Sequence, residues 1–247
     1  MGILFYPIFI KKIMVKLKLY VKECFFKEDI MKNIYFYEVE KIYKSVQKDI
    51  EKRLEEFRET WKNGSNKDIF CELAFCILTP QSKARNAWKA ISELRDSGAL
   101  FNGSEEEIVP YLNIVRFNNT KAKNLCLLRD QMTDEEGNFI TKDFFLTFET
   151  PFEMREWIVK NIRGMAFKEA SHFLRNVGFG EDLAILDRHI LKNLLALEII
   201  DEIPKTITPK LYKEIEGKLR EYCKEVNISM DNIDLLLWYL EAKDIFK

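Results

Sequence analysis

Histidine is scarce in this 247-residue chain, and glycine, proline and net charge are all low. The two histidines, His172 and His189, and the five cysteines at 24, 71, 76, 126 and 223 include no CxxC pair, so metal-site spacing is absent and no metal or cofactor is called for. The odd, scattered thiols read as reduced cysteines of a cytosolic protein. A net charge of −1 argues against a purely electrostatic nucleic-acid binder, so any DNA surface must be a local patch. Nine glycines and six prolines leave little room for long linkers. Near the N-terminus, ILFYPIFI is apolar for only eight residues and contains a proline, far short of the roughly 20 needed to span a bilayer. Its lysines follow the apolar run, whereas a signal peptide places them ahead of it. What is abundant is apolar residue, 47% of the chain, enough to bury one large domain or two small ones.

Residues 1–35 do not match the rest and are expected to be a peripheral or disordered extension, with Met14 and Met31 as alternative starts and a membrane anchor as the rival reading. Over 39–61, Ile42, Val46, Ile50, Leu54 and Phe57 recur at helical spacing among charges, an amphipathic helix ended by Asn63, Gly64, Ser65 and Asn66. Residues 68–78 are apolar nearly all round, which predicts a buried helix at the centre of a bundle. Ser82 is placed to cap a helix reaching Leu94. Further helices are predicted over 105–112, from the polar cluster Asn118, Asn119 and Thr120, over 190–197, over 211–226, and from Met230 to about Ala242. With 139–141 the sole strand candidate, the fold is expected to be all-α, two helical lobes with a cleft between them, forming one domain over 36–247.

The segment 152–190, with a hairpin over 152–178, organises that domain. It reads as a helix over 152–160, a tight turn over 162–166 and a second helix over 167–176, followed by a Gly-rich loop over 178–181 and a run that ends in Asp187. Gly164 supplies the backbone freedom for the turn. A turn that opens a helix leaves N–H groups pointing outward, so Arg163, Gly164 and Ala166 form a docking point for an anion such as a phosphate. Lys168 follows in the second helix, and nineteen positions later comes Asp187.

These residues resemble the hairpin, loop and aspartate of the helix-hairpin-helix DNA glycosylases. In that superfamily a lysine four places after the hairpin's first glycine, here Lys168 after Gly164, marks the members that also act as lyases. The phrase KEASHFLRNVG, the following AILDRHI and a lysine at position 247 are similar to the archaeal-type (type 2) 8-oxoguanine DNA glycosylases. The resemblance runs over about 39–247. One departure is Ala166, where the family usually has a second glycine; alanine donates the same N–H but tolerates a positive φ less well. The four-cysteine iron–sulfur cluster of the endonuclease III branch has no counterpart, since only Cys223 lies in the region concerned.

The resemblance implies the rest of the site. Gln81, in LTPQSKARNA, matches the residue that enters the stack where a base has been turned out; taken alone it is a polar turn residue. Lys121 and Lys123 resemble the NxKA segment where the backbone approaches DNA, although lysines on a solvated face are commonplace. His172, one turn after Lys168, is placed to floor a base pocket or to bond a backbone carbonyl. Trp238 stacks on the flipped base or sits in the core. Lys247 is implicated in separating 8-oxoguanine from guanine, whose distinguishing atom is the N7 proton, readable by an acceptor such as a terminal carboxylate.

Breaking the C1′–N bond passes through an oxocarbenium-like state that a carboxylate stabilises and a nucleophile captures. Asp187 and Lys168 fill those roles in the resemblance, although singly one is an ordinary N-cap and the other a surface lysine. The implied activity is a bifunctional glycosylase and AP lyase excising 8-oxoguanine from duplex DNA, acting as a cytoplasmic, nucleoid-associated monomer without cofactor or membrane. The rivals are an enzyme for oxidised pyrimidines, a non-catalytic hairpin that grips phosphates, and a membrane-tethered protein.

Overall fold

The protein is described by a computed structural model over residues 27–247, with side chains from Tyr37 onward. Expectations for residues 1–26 lie outside this range. Among the described residues there are twelve α-helices: α1 (Lys27–Asn63), α2 (Asn66–Leu78), α3 (Ala84–Asp96), α4 (Ala99–Asn102), α5 (Glu105–Ile108), α6 (Asn118–Gln131), α7 (Thr141–Phe145), α8 (Pro151–Asn161), α9 (Phe167–Asn176), α10 (Arg188–Ala196), α11 (Pro209–Val226) and α12 (Met230–Ala242). No described helix is long and apolar enough to cross a membrane. The strand candidate at 139–141 reduces to a single antiparallel bridge between Thr133 and Phe139, after which Thr141 opens α7.

Local chemistry sets the boundaries. Gly64 and Ser65 separate α1 from α2, where the Ser65 hydroxyl accepts the Asp68 N–H at 3.3 Å and Asp68 Oδ2 accepts the Ser65 N–H at 2.8 Å, a reciprocal cap. The hairpin's α8 starts the same way, with Thr150 as cap and Pro151 in the first turn. The single helix expected over 105–112 divides into α5 and a 3₁₀ turn over Val109–Ile114, because Pro110 has no N–H to continue the α ladder. Ser82 does not cap α3, which starts at Ala84 after Lys83 without a side-chain cap; the Ser82 hydroxyl accepts the Arg116 N–H at 3.0 Å instead.

Burial follows the sequence pattern into two apolar cores. On α1 the stripe Val46, Ile50, Leu54 and Phe57 is buried and Ile42 is half-buried; together with α10, α11 and α12 it forms one lobe. The other lobe wraps α2, which is buried from Ile69 to Leu78, with α3 to α9. Each lobe has one hydrophobic core, and the chain leaves the lobe of α1 to build the other from α2 to α9 before it returns with α10. The backbone of α1 runs unbroken through residue 36, where the boundary of the extension is expected. Three of the described thiols, Cys71, Cys76 and Cys223, are buried, and Cys126 is half-buried. Loss of solvation pushes Cys71 and Cys223 up to about 12 and Cys76 well above its usual range.

Candidate active site

The hairpin forms as the spacing predicts. Helix α8 closes with the Ile162 N–H on the Ile158 carbonyl at 2.8 Å, and the chain then turns at Gly164 with φ +91°. A Cβ at Gly164 would stand 2.5 Å from Nδ2 of Asn124, so glycine is required both for the dihedral and for the close approach of α6. Ala166 has φ −108° and ψ −173°, an extended conformation open to any residue, so this turn does not need the second glycine. Its N–H is held at 3.3 Å by Oε2 of Glu169. Arg163, Gly164 and Ala166 are all exposed, around the N-terminus of α9.

Lys168 is the second residue of α9, and its half-buried amine lies 3.2 Å from Oε1 of Glu169. Asp187 is the N-cap of α10: one oxygen, Oδ1, accepts the N–H groups of His189 at 2.7 Å and Ile190 at 2.8 Å. Those bonds fix the carboxylate at the helix start. The strand-like approach to Asp187 is clamped from α11. Glu216 accepts the Ala184 N–H at 2.8 Å, while the Tyr212 hydroxyl donates to the Ala184 carbonyl at 2.6 Å and accepts the Leu186 N–H at 3.2 Å. Glu216 is itself fixed by both terminal nitrogens of Arg155, at 2.5 and 2.8 Å, in a fully buried pair that joins α8 of the hairpin to α11.

Lys168 and Asp187 line the same cavity, about 110 Å³ in volume, between the two lobes. His172, Trp238 and Lys247 line it too, so five of the residues expected at the site converge there. A cavity of roughly 150 Å³ holds benzene, so full enclosure of a two-ring base requires a wall to move.

His172 is 7% exposed, packs edge-on against Phe75 at 5.5 Å, approaches the Lys247 main chain, and closes no hydrogen bond of good geometry through either ring nitrogen. Burial, helped by Arg175, holds it well below its ordinary range, so it is a neutral ring at pH 7. Trp238 is half-buried at the cavity, edge-on to His189 at 5.7 Å, not sealed in the core. Lys247 turns its ammonium away from the site, onto Glu72 and the face of Trp88 at 3.7 Å. The preceding residues are held as well, with Asp244 paired to Arg85 at 2.5 Å and Phe246 under the same guanidinium at 4.7 Å.

Arg175 and Asp234 also line the cavity and begin a buried polar chain that the sequence reading missed. Arg175 donates to Asp234 at 2.7 Å and to Asn176 at 3.1 Å, and Asn176 donates to Glu72 at 3.3 Å, the partner of Lys247. Burial pushes Asp234 up to about 6 against the pull of Arg175, with Asp187 adding to the rise. Arg175 and Asp234 carry a helical-face signal, being one turn beyond His172 and one turn before Trp238. Glu72, the one acid within the buried stretch 69–78 of α2, was a detectable anomaly.

Next in the chain to the cavity-lining Ser82, Gln81 is exposed with φ +54°, and its Oε1 accepts an N–H of Arg116 Nη1 at 3.3 Å. Beside it is an aromatic the sequence reading passed over: Phe117, 58% exposed with φ +60°. Lys123 is exposed on α6. Lys121 is placed otherwise than expected, 4% exposed with its ammonium turned inward onto protein oxygens.

Residues 50–228 match the model of a family described as 8-oxoguanine DNA glycosylase. A Fusobacterium nucleatum protein named 8-oxoguanine DNA glycosylase/AP lyase is 63% identical over 216 residues, covering 87% of this chain and 99% of that protein. A Methanocaldococcus jannaschii protein of the same name is 41% identical over 211 residues, covering 85% and 97%. The crystal structure of the M. jannaschii 8-oxoguanine glycosylase/lyase in complex with a 15mer DNA containing 8-oxoguanine superimposes with TM-score 0.76 at 39% identity, over 85% of this chain and 97% of that one. The Thermotoga maritima 8-oxoguanine DNA glycosylase gives TM-score 0.76 at 33% identity, over 88% and 100%.

Proposed function

This chain belongs to the helix-hairpin-helix 8-oxoguanine DNA glycosylases, and we propose that Lys168 and Asp187 carry its chemistry. The enzyme is a bifunctional DNA glycosylase and AP lyase that excises 8-oxoguanine from DNA. The observation that carries the assignment of residues is that Lys168 and Asp187 line one cavity.

In this reading the uncharged Lys168 amine bonds to C1′ as the C1′–N bond to the base breaks and the pair of electrons leaves with the base. Asp187, held by two backbone N–H groups, steadies the positive sugar. The C1′–O4′ bond then opens as a proton passes from the nitrogen to O4′, which gives the Schiff base; this acidifies the C2′ proton, whose removal expels the 3′ phosphate by β-elimination. Arg163, Gly164 and Ala166 grip a backbone phosphate at the start of α9. Lys123 adds a second contact, and Gln81 enters the stack with Phe117 beside it. Trp238 stacks on the extruded base, above the neutral ring of His172. Lys247 shapes the base-reading end of the cavity through its main chain, since its ammonium is held by Glu72.

We place the catalytic unit over residues 36–247; matches that span 87% and 85% of this chain and 99% and 97% of the relatives support a unit of about that size. Residues 1–35 are an extension outside it. The enzyme works as a monomer in the cytoplasm, where the chromosome is. Lys168→Gln should abolish borohydride trapping and strand cleavage on an 8-oxoguanine duplex; a variant that still trapped would remove Lys168 from the role. Thymine glycol duplexes, run alongside, test the oxidised-pyrimidine alternative.

A further inference from the structure

We propose that Lys121 is a positioning residue that sets the turn over 79–82 for entry into the duplex, through protein oxygens and not through a DNA phosphate. The inference rests on the reading of Gln81 as the residue that fills the gap left by the extruded base. The Lys121 ammonium has three N–H groups, and it has three acceptors: the Leu78 carbonyl at 2.8 Å, the Pro80 carbonyl at 2.9 Å and the Ser82 hydroxyl at 3.0 Å. No donor is left over for a phosphate. Leu78 ends α2, where unsatisfied carbonyls and the helix dipole both favour a cation. Pro80 and Ser82 flank Gln81 on either side, so the ammonium grips the turn immediately before and after the residue that must project.

The turn needs such a grip. Gln81 sits in the left-handed region at φ +54°, a conformation costing about 1 kcal/mol or more that persists only where its surroundings enforce it. Ser82 also accepts the Arg116 N–H at 3.0 Å, and the Arg116 side chain reaches Gln81 at 3.3 Å. The next residue, Phe117, is exposed and left-handed as well. Two strained turns are thereby joined into one block, and Lys121, in the first turn of α6, fastens that block to the end of α2.

The test compares wild type, Gln81→Ala and Lys121→Met in two single-turnover assays: 8-oxoguanine excision from a duplex, and cleavage at a preformed abasic site, where no stacked base has to be turned out. Both variants should slow excision by on the order of tenfold, with a clearly smaller loss at the abasic site. The salt dependence of duplex binding by Lys121→Met should keep the wild-type slope. Equal loss on both substrates, unaltered excision, or a slope of log Kd against log salt reduced by about 0.9, the mark of one lost phosphate contact, would each overturn the proposal. Should thermal unfolding show that Lys121→Met does not fold, Ser82→Ala, which removes one of the three acceptors, is read by the same criteria. A normal Gln81→Ala overturns both the wedge reading and this proposal, whereas a slow Gln81→Ala beside a normal Lys121→Met overturns this proposal alone.

Discussion

Lys247 and Glu72 lie 175 residues apart in the chain and form a buried ion pair with the ammonium stacked on Trp88. Burial pulls the Lys247 ammonium below its ordinary range, and Glu72 opposes that pull. Removing one partner strands the other. Glu72→Ala should therefore cost roughly 3–5 kcal/mol in chemical denaturation, and the double variant with Lys247→Met should lose less than the sum of the two single changes. With the tail released from the cavity wall, excision of 8-oxoguanine should fall further than cleavage of abasic sites.

Asp187→Asn separates catalysis from folding. An asparagine side-chain oxygen still accepts the N–H groups of His189 and Ile190, so the cap survives and stability should change by less than about 1 kcal/mol. The charge facing the sugar is gone, and single-turnover excision should drop by roughly 10²–10³.

Gly164→Ala meets two obstacles, a φ of +91° and the Asn124 amide 2.5 Å from the new methyl group. The expected cost is about 1–3 kcal/mol in thermal or denaturant unfolding, together with weaker duplex binding, because the displaced turn carries the phosphate-facing N–H groups. Ala166→Gly, at an extended position, should leave duplex affinity unaltered.

The Asp234 carboxyl, raised by burial to about 6 from an ordinary 3.8, is harder to ionise in the folded protein than in the unfolded chain. Between those values the folded state binds more protons, so its contribution to stability falls as pH rises through the window and the loss is complete above 6. Asp234→Asn should remove this slope, by at most about 3 kcal/mol across the window, as read from unfolding midpoints between pH 4 and 7.

Much of this was legible in the sequence because it depends on near neighbours. The stripe on α1, the apolar circumference of α2 and the turn between α8 and α9 follow from helical period and from glycine, and Lys168 and Asp187 fall where the motif spacing placed them. What was not legible depends on partners far away in the chain. Nothing local to Lys121 shows that its ammonium turns inward to oxygens around 40 residues earlier. Ser82 has the residue type and place of a cap, yet tertiary contacts with Arg116 and Lys121 claim its hydroxyl. Phe117, between Arg116 and Asn118, escaped notice because its exposure goes with a left-handed backbone conformation that residue type does not reveal.

The state of the thiols bears on where such an enzyme has to work. Peroxide attacks thiolates, and Cys71, Cys76 and Cys223 are enclosed and kept protonated by their apolar surroundings. The conditions that oxidise guanine, and so create the enzyme's substrate, therefore find little to attack at those three sulfurs.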